Sequence, residues 1–227
     1  MPNPTLHPHP MRIHSSSPAL RAFFGSCLLA LAGCTSVQVL PSSSTRTINL
    51  GSSELEANGI AFITPSTTTG REEEKQAVAH VFAESIKRDR DRVRVVALPE
   101  TLSAINKANL GDLYKRMYDE QRDTGLFQRS MLHRVGELTG SRYIAQIQLQ
   151  EFSEGSKERF GIFGFRIVET RFARTRLFLT IWDSTDGSIA WEGMEELTYA
   201  HERINEEPVT FQKALEHAAK HLITKLP

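Results

Sequence analysis

The sequence predicts an α/β (α+β) fold. It reads as a single mixed-sheet domain covered by helices, with a C-terminal antiparallel hairpin and a final helix, behind a cleaved leader and a flexible tether. Three observations carry that expectation. An apolar run bounded by Gly59 and Pro65 precedes a stretch of helical periodicity and then a second apolar run, the order of a β-α-β crossover. Residues 142–152 alternate apolar and polar, as an antiparallel strand with one solvated face does. Asp183-Ser184-Thr185-Asp186-Gly187 then separates two further strand-like stretches with hairpin chemistry.

The chain begins with a region that is not part of this fold. Residues 1–10 hold four prolines and two histidines and read as neither leader nor domain, so Met11 is a second candidate start. Residues 22–32 are mostly apolar, and Arg12 and Arg21 precede them with no acid between. A membrane-spanning helix needs ~20 apolar residues, whereas the apolar part of a secretory leader needs only ~7–15. Leu31-Ala32-Gly33-Cys34 follows, and it looks like the lipobox of a bacterial lipoprotein, with Cys34 as the lipid-attachment residue. Residue 35 is Thr rather than Asp, which by resemblance to enterobacterial sorting implies the outer membrane, periplasmic face. The expected organisation is a leader over 1–33, a flexible tether over 34–57 and the α/β domain over 58–227. The tether rests on the Ser/Thr-rich composition after Cys34.

Cleavage after Gly33 removes two arginines and leaves 25 basic residues against 27 acids, a net charge of −2. That is no footprint for nucleic acid. Cys27 leaves with the leader and Cys34 is the anchor, so the domain has no disulfide and stands on its core.

Within the domain, residues 59–65 read as a buried strand. Thr69 and Glu72 have capping-box spacing before a helix over 71–89, whose Val78, Val81, Phe82 and Ile86 make one stripe. Residues 93–98 read as a strand, Pro99 opens a short helix, and Gly111-Asp112 marks a break before another. A helix over 126–138 places Leu126, Phe127, Met131, Leu132, Val135 and Leu138 on one face and stops at Gly140. Strands over 142–152, 172–183 and 188–200 follow, the last with Ile189, Trp191, Leu197 and Tyr199 inward. Pro208 opens the final helix, packed by Phe211, Leu215, Ala218, Leu222 and Leu226.

Candidate chemistry is sparse. His217 and His221 have the i, i+4 spacing of a metal pair, but they fall off the apolar stripe, and no third ligand can be assigned. Asp183 and Asp186 do not have calcium-loop spacing. Nucleophile elbows, HExxH, CxxC and phosphate loops are absent. The chain is therefore expected to be no enzyme and to need no cofactor or metal. Phe160, Ile162, Phe163 and Phe165 stand out as large apolar residues in a charged inter-strand connection, and such a patch marks a partner or membrane contact.

Ile60 to Pro65 with Thr69-Gly70, then Gly140-Ser141-Arg142-Tyr143-Ile144, then residues 177–183 with Gly187 and Trp191, behind a lipobox, resemble envelope lipoproteins. The resemblance is to those of the curli-secretion-channel and penicillin-binding-protein-activator type, whose α/β domain is similar to the N-terminal domain of the Tol-Pal translocation protein. It implies an outer-membrane-anchored accessory module in cell-wall synthesis or secretion, with an envelope protein partner, a membrane contact through Cys34 and an oligomer as an option. The charge-dense segment between Phe152 and Phe172 is unsuited to a spanning hairpin, which argues against a channel. The alternative reading is a periplasmic metal-dependent hydrolase or ligand carrier with an unrecognised site.

Overall fold

A computed structural model describes residues 37–68, 73–158, 161–162, 165–166, 169–203 and 210–227. The chain from Ser36 to Pro227 forms one compact unit. Its elements in order are β1 (Val37–Thr47), α1 (Glu54–Asn58), β2 (Ile60–Phe62), β3 (Ser66–Thr67), α2 (Glu74–Asp89) and β4 (Val95–Val96). Then come α3 (Leu98–Lys107), α4 (Gly111–Thr124), α5 (Arg129–Thr139), β5 (Tyr143–Glu158), β6 (Gly161–Ile162) and β7 (Phe165–Arg166). The chain closes with β8 (Glu169–Asp183), β9 (Ile189–Arg203) and α6 (Phe211–Ile223).

A seven-stranded mixed sheet runs in the order β1-β9-β8-β5-β2-β4, with β3 beside β5. Strands β2, β4 and β5 are parallel; β5, β8, β9 and β1 are antiparallel. This is the mixed α/β architecture expected. Strand β2 is buried on both faces, which explains its unbroken apolar run: Ile60 and Phe62 enter one apolar cluster, Ala61 and Ile63 the other.

The larger cluster joins α2 and α6 to one sheet face through Val78, Phe82, Ile86, Tyr143, Ile147, Leu179, Trp191, Leu215 and Leu222. The smaller lies on the opposite face and joins α3–α5 through Ile105, Met117, Leu132, Val135, Ile144 and Trp182. Each fully buried aliphatic or aromatic side chain of this kind stabilises the fold by ~1.5–3 kcal/mol over an exposed one. Helix α5 stops where Gly140 takes a left-handed conformation, φ 63°, as its position in the sequence predicts.

Four expectations need correction. Residues 37–47 are not a tether: they form β1, paired along its length with β9 from Val37↔His201 to Thr47↔Trp191. The Ser/Thr run is compatible with an edge strand because one side meets no neighbouring strand among the described residues, and Pro41, which has no N–H to give, is tolerated at such an edge. The domain therefore begins before Asn58, and Leu50 and Leu55 already belong to its core. Second, Ile189 does not share a face with Trp191. Ile181 pairs Trp191 and Trp182 pairs Ile189, so Ala190 is the extra residue of a bulge that sends Ile189 to the smaller cluster. Third, Leu126 precedes α5 and is exposed, because the helix starts at Arg129. Fourth, the glutamine face of β5 is not uniformly solvated: Gln146 is buried, Gln148 is half-buried and Gln150 is exposed.

Candidate functional site

The parallel strands border a crevice. The chain leaving β2 turns to α2 on the face of the larger cluster, while the chain leaving β4 enters α3, which carries Ile105 into the smaller one. Neighbouring strands whose connections diverge to opposite faces leave a gap at their carboxyl ends, the usual ligand position in open α/β sheets. That gap is a crevice of about 520 Å³ lined by Gln76, Ala77 and His80 of α2, and by Ala97, Leu98, Pro99 and Leu102.

Its chemistry is limited. Among the described residues the lining contains one histidine, one amide and no carboxylate, hydroxyl or thiol. The opening of α3 is not free to receive an anion. Pro99 has no N–H, and the Ala97 N–H donates to Glu100 Oε2 at 2.7 Å, which places a carboxylate there. The described lining suits a small apolar group.

Beside it, the chain after β2 is fastened by two tyrosines of α4. The Thr64 N–H donates to Tyr114 Oη at 2.9 Å, and Tyr118 Oη donates to the Thr64 carbonyl at 2.7 Å. Burial pushes both phenols above their ordinary range, Tyr118 the further. They therefore act as neutral hydrogen-bonding groups, and nothing in the arrangement makes either a base.

At the opposite end of the sheet, Asp183 ends β8 in a dense polar cluster. Arg142 donates from Nε and Nη2 to Asp183 Oδ2 at 3.0 and 2.8 Å, and from Nη1 to Glu54 Oε2 at 3.0 Å. Tyr143 Oη and Asn58 Nδ2 also donate to Glu54 Oε2. Burial alone would raise the Asp183 carboxyl, but hydrogen bonds from Arg142 and Thr185 outweigh it and hold it below the ordinary range. All these groups are spent on one another, so the cluster ties α1, β5 and β8 together. Asp183 also receives the Thr185 N–H and hydroxyl, and Gly187 closes the turn at φ 78°. The segment is a hairpin turn, as expected.

The two histidines of α6 do not share a ligand. His217 stacks on Tyr199, with ring centroids 4.9 Å apart. His221 Nδ1 lies 2.9 Å from both carboxylate oxygens of Glu195, whose side chain is completely buried. Burial raises the Glu195 carboxyl, and His221 and Lys225 oppose that rise. The sequence reading missed Glu195. Its signal was a charged residue in phase with inward Trp191, Leu197 and Tyr199 of the same strand. Among the described residues no group of three potential metal ligands occurs, and no helix is long and apolar enough to cross a membrane.

Of the other candidate residues, Cys34, Phe160 and Phe163 lie outside the described residues. Ile162 and Phe165 face each other as a pair in the two-stranded β6–β7 ladder.

No protein-family model matches the sequence, and no curated protein matches it. Among solved structures, the chain is similar to the PelC dodecamer from Paraburkholderia phytofirmans at 11% identity. That match covers 82% of this chain and 94% of that one, with a TM-score of 0.41. It is also similar to the lipoprotein GNA1162 from Neisseria meningitidis, at 11% identity over 74% of this chain and 98% of that one, with a TM-score of 0.38. Likenesses this distant carry no argument about what the chain does.

Proposed function

We propose that this chain is an envelope lipoprotein, held on the periplasmic face of the outer membrane through acylated Cys34, and that its domain is a non-catalytic interaction module. The process it serves is envelope assembly, in cell-wall synthesis or secretion. The observation that carries the interaction reading is a sheet face that the described residues leave uncovered. On the side of the smaller cluster, apolar cover ends at Ile144, Trp182 and Ile189. Beyond them β5, β8, β9 and β1 present Gln148, Phe178, Arg176, Arg174, Met194, Glu196 and Leu40, all half-buried or exposed. Leu40 is 64% exposed although it is a large aliphatic residue.

The test is affinity capture from crosslinked envelopes, comparing the wild type with Leu40→Asp combined with Arg174→Glu. Both side chains are exposed, so the melting temperature should hold while the captured partner is lost. Unchanged capture by the doubly substituted chain would sink the open face as the contact. A ligand-carrier reading draws on the α2–α3 crevice alone. It predicts saturable binding of a small apolar ligand that Ala77→Trp abolishes.

A further inference from the structure

We propose that β1 is the seam of a two-fold dimer: its outer edge pairs antiparallel with β1 of a second copy, and Leu40 of each copy enters a hollow on the other's open sheet face. The inference goes beyond the envelope reading and does not depend on it, because it stands on the geometry of β1 and its neighbours.

The backbone of β1 is set for such pairing. Among the described residues no strand lies beyond it in the sheet order. The β1–β9 ladder runs without a register shift from Val37 to Thr47, and just past it the Ile48 N–H donates to the Ala190 carbonyl at 3.0 Å. In an antiparallel ladder, residues that bond to the neighbour alternate with residues whose N–H and C=O point away from it. Counting back from Ile48, Arg46, Ser44, Ser42 and Leu40 therefore bond to β9. Val39, Pro41, Ser43, Thr45 and Thr47 direct their backbone groups outward. Pro41 falls in the outward set, so its missing N–H costs the β1–β9 ladder nothing. An outward row of backbone groups on an edge of this length is a template for another strand.

Few registers are open to a second copy. A two-fold axis pairs each residue with a partner residue so that their two numbers add to a constant. Outward backbone groups meet only when both numbers are odd, so the constant is even. The register that adds to 84 matches the strand over its whole length, from Val37 to Thr47. It sets Val39 opposite the partner's Thr45, Pro41 opposite the partner's Ser43 and, at the axis, Ser42 opposite itself. On the open face it sets Leu40 opposite the partner's Ser44. Arg46 is the single charged residue of β1, so no like charges meet across the seam.

That register brings a knob to a hole. Leu40 is the knob, a large aliphatic side chain left in solvent by its own copy. A hollow of about 220 Å³ opens on the same sheet face, and its lining includes Ser44, Arg46, Phe178, Thr180, Glu192 and Met194. These residues form two adjoining rows across β1, β9 and β8: Ser44, Met194 and Phe178 in one, Arg46, Glu192 and Thr180 in the other. Leu40 and Ser44 both bond inward to β9, so across the seam they form a pair without backbone bonds between them. Side chains approach most closely in such pairs, with Cβ atoms ~4.5–5.5 Å apart. Ser44 is small enough to let the partner's Leu40 lean past it onto Met194 and Phe178, which are half-buried in the single copy. The axis repeats the contact, so both knobs and both hollows are used at once. A second copy therefore fits the side chains of this edge as well as its amides. The two sheets join edge to edge, and their open faces become one continuous surface.

The experiment traps the register as a disulfide in the purified full chain carrying Cys27→Ser and Cys34→Ser, which leaves no native thiol. A seam one strand wide is smaller than the ~800 Å² per partner of a standard stable interface, so a covalent trap reads it more surely than sizing does. Leu40, Ser42 and Ser44 are all exposed, and each is changed singly to Cys. Ser42→Cys should give a covalent dimer on mild oxidation, because the two introduced thiols face each other at the axis, with Cα atoms inside the ~4.4–6.8 Å that a disulfide bridges. Ser44→Cys alone should stay monomeric, since the two copies of that position stand four residue steps, ~14 Å, apart along the strands. An equimolar mixture of Leu40→Cys and Ser44→Cys chains should cross-link to each other. Adding Leu40→Asp to Ser42→Cys should abolish the link while the melting temperature holds. No link at Ser42→Cys overturns the proposal. So does cross-linking of Ser44→Cys alone as fast as Ser42→Cys, which would mean indiscriminate association, and so does a link that survives Leu40→Asp. The chain in this test is unacylated and alone, so these failures leave the lipoprotein and envelope-partner readings standing, and failure of those readings leaves this one standing.

Discussion

Strand β5 passes through two different environments, and the contrast between its ends shows how unevenly burial stabilises this domain. At its start, Tyr143, Ile144, Ala145 and Ile147 are fully buried between helices on both faces. At its far end, Ser153, Glu154 and Ser156 are exposed, and Phe152 packs edge-on against Phe211 with ring centroids 4.6 Å apart. The same ladder of backbone bonds runs through both ends. Side-chain burial, not pairing, distinguishes them, and so the energetic cost of substitution should decline along the strand.

The largest effect should come from the covered end. Ile144→Ala opens a cavity under α5 and should destabilise by ~2–5 kcal/mol, while Phe178→Ala on the open face should cost well under half of that. Chemical denaturation of both variants measures the difference. Equal losses would show that the open face is covered after all.

An intermediate effect belongs to the buried pair under α6. His221→Ala leaves the Glu195 carboxylate without its partner and should cost ~1–3 kcal/mol near neutral pH. The pH dependence has a definite sign. Burial raises the Glu195 carboxyl above its unfolded value, so the folded state holds that proton more tightly. Stability from this group is then full at low pH and is lost as pH rises from the ordinary carboxylate range to the raised value. Removing His221, which opposes the rise, should extend the loss to higher pH. Asp183, held below its ordinary range, acts in the opposite sense in both chains and cancels in the difference. Thermal melts across pH for wild type and variant test this. A pH-independent difference would remove Glu195 as its cause.

A smaller effect, and a gain, is expected where the two regions meet. Gln146 is buried at the margin of the smaller cluster, and its Nε2 has no hydrogen-bond partner. Gln146→Leu should stabilise by ~1 kcal/mol, since it removes an unpaired buried amide. A loss would mean that the margin is wet. The smallest effect is predicted for Arg176→Ala on the open face, whose pair with Glu196 at 2.9 Å is more than a third exposed on both sides. It should change stability by less than ~1 kcal/mol, with little left at high salt.

The sequence made the covered half legible because its patterns are those of burial. The stripe of Val78, Val81, Phe82 and Ile86 and the stop at Gly140 need only local periodicity to be seen. The open half was harder for stated reasons. An edge strand rich in Ser and Thr, with Val39 as its apolar contact to the larger cluster, carries too little alternation to mark it, so β1 read as a tether. One extra residue at Ala190 moved Ile189 to the other side of the sheet, which a strict period of two cannot express. Glu195 depends on a histidine 26 positions away on another element. The crevice at the ends of β2 and β4 follows from strand order, which propensity does not encode.

The claim on which the rest depends is that residues 37–47 are structure rather than leash. Hydrogen exchange of the chain, resolved over residues 37–47, measures it directly. Pairing with β9 predicts slow exchange at alternate amides of the segment, with protection comparable to that of β9 itself. Exchange of every amide from 37 to 47 at the rate of a free peptide would contradict it.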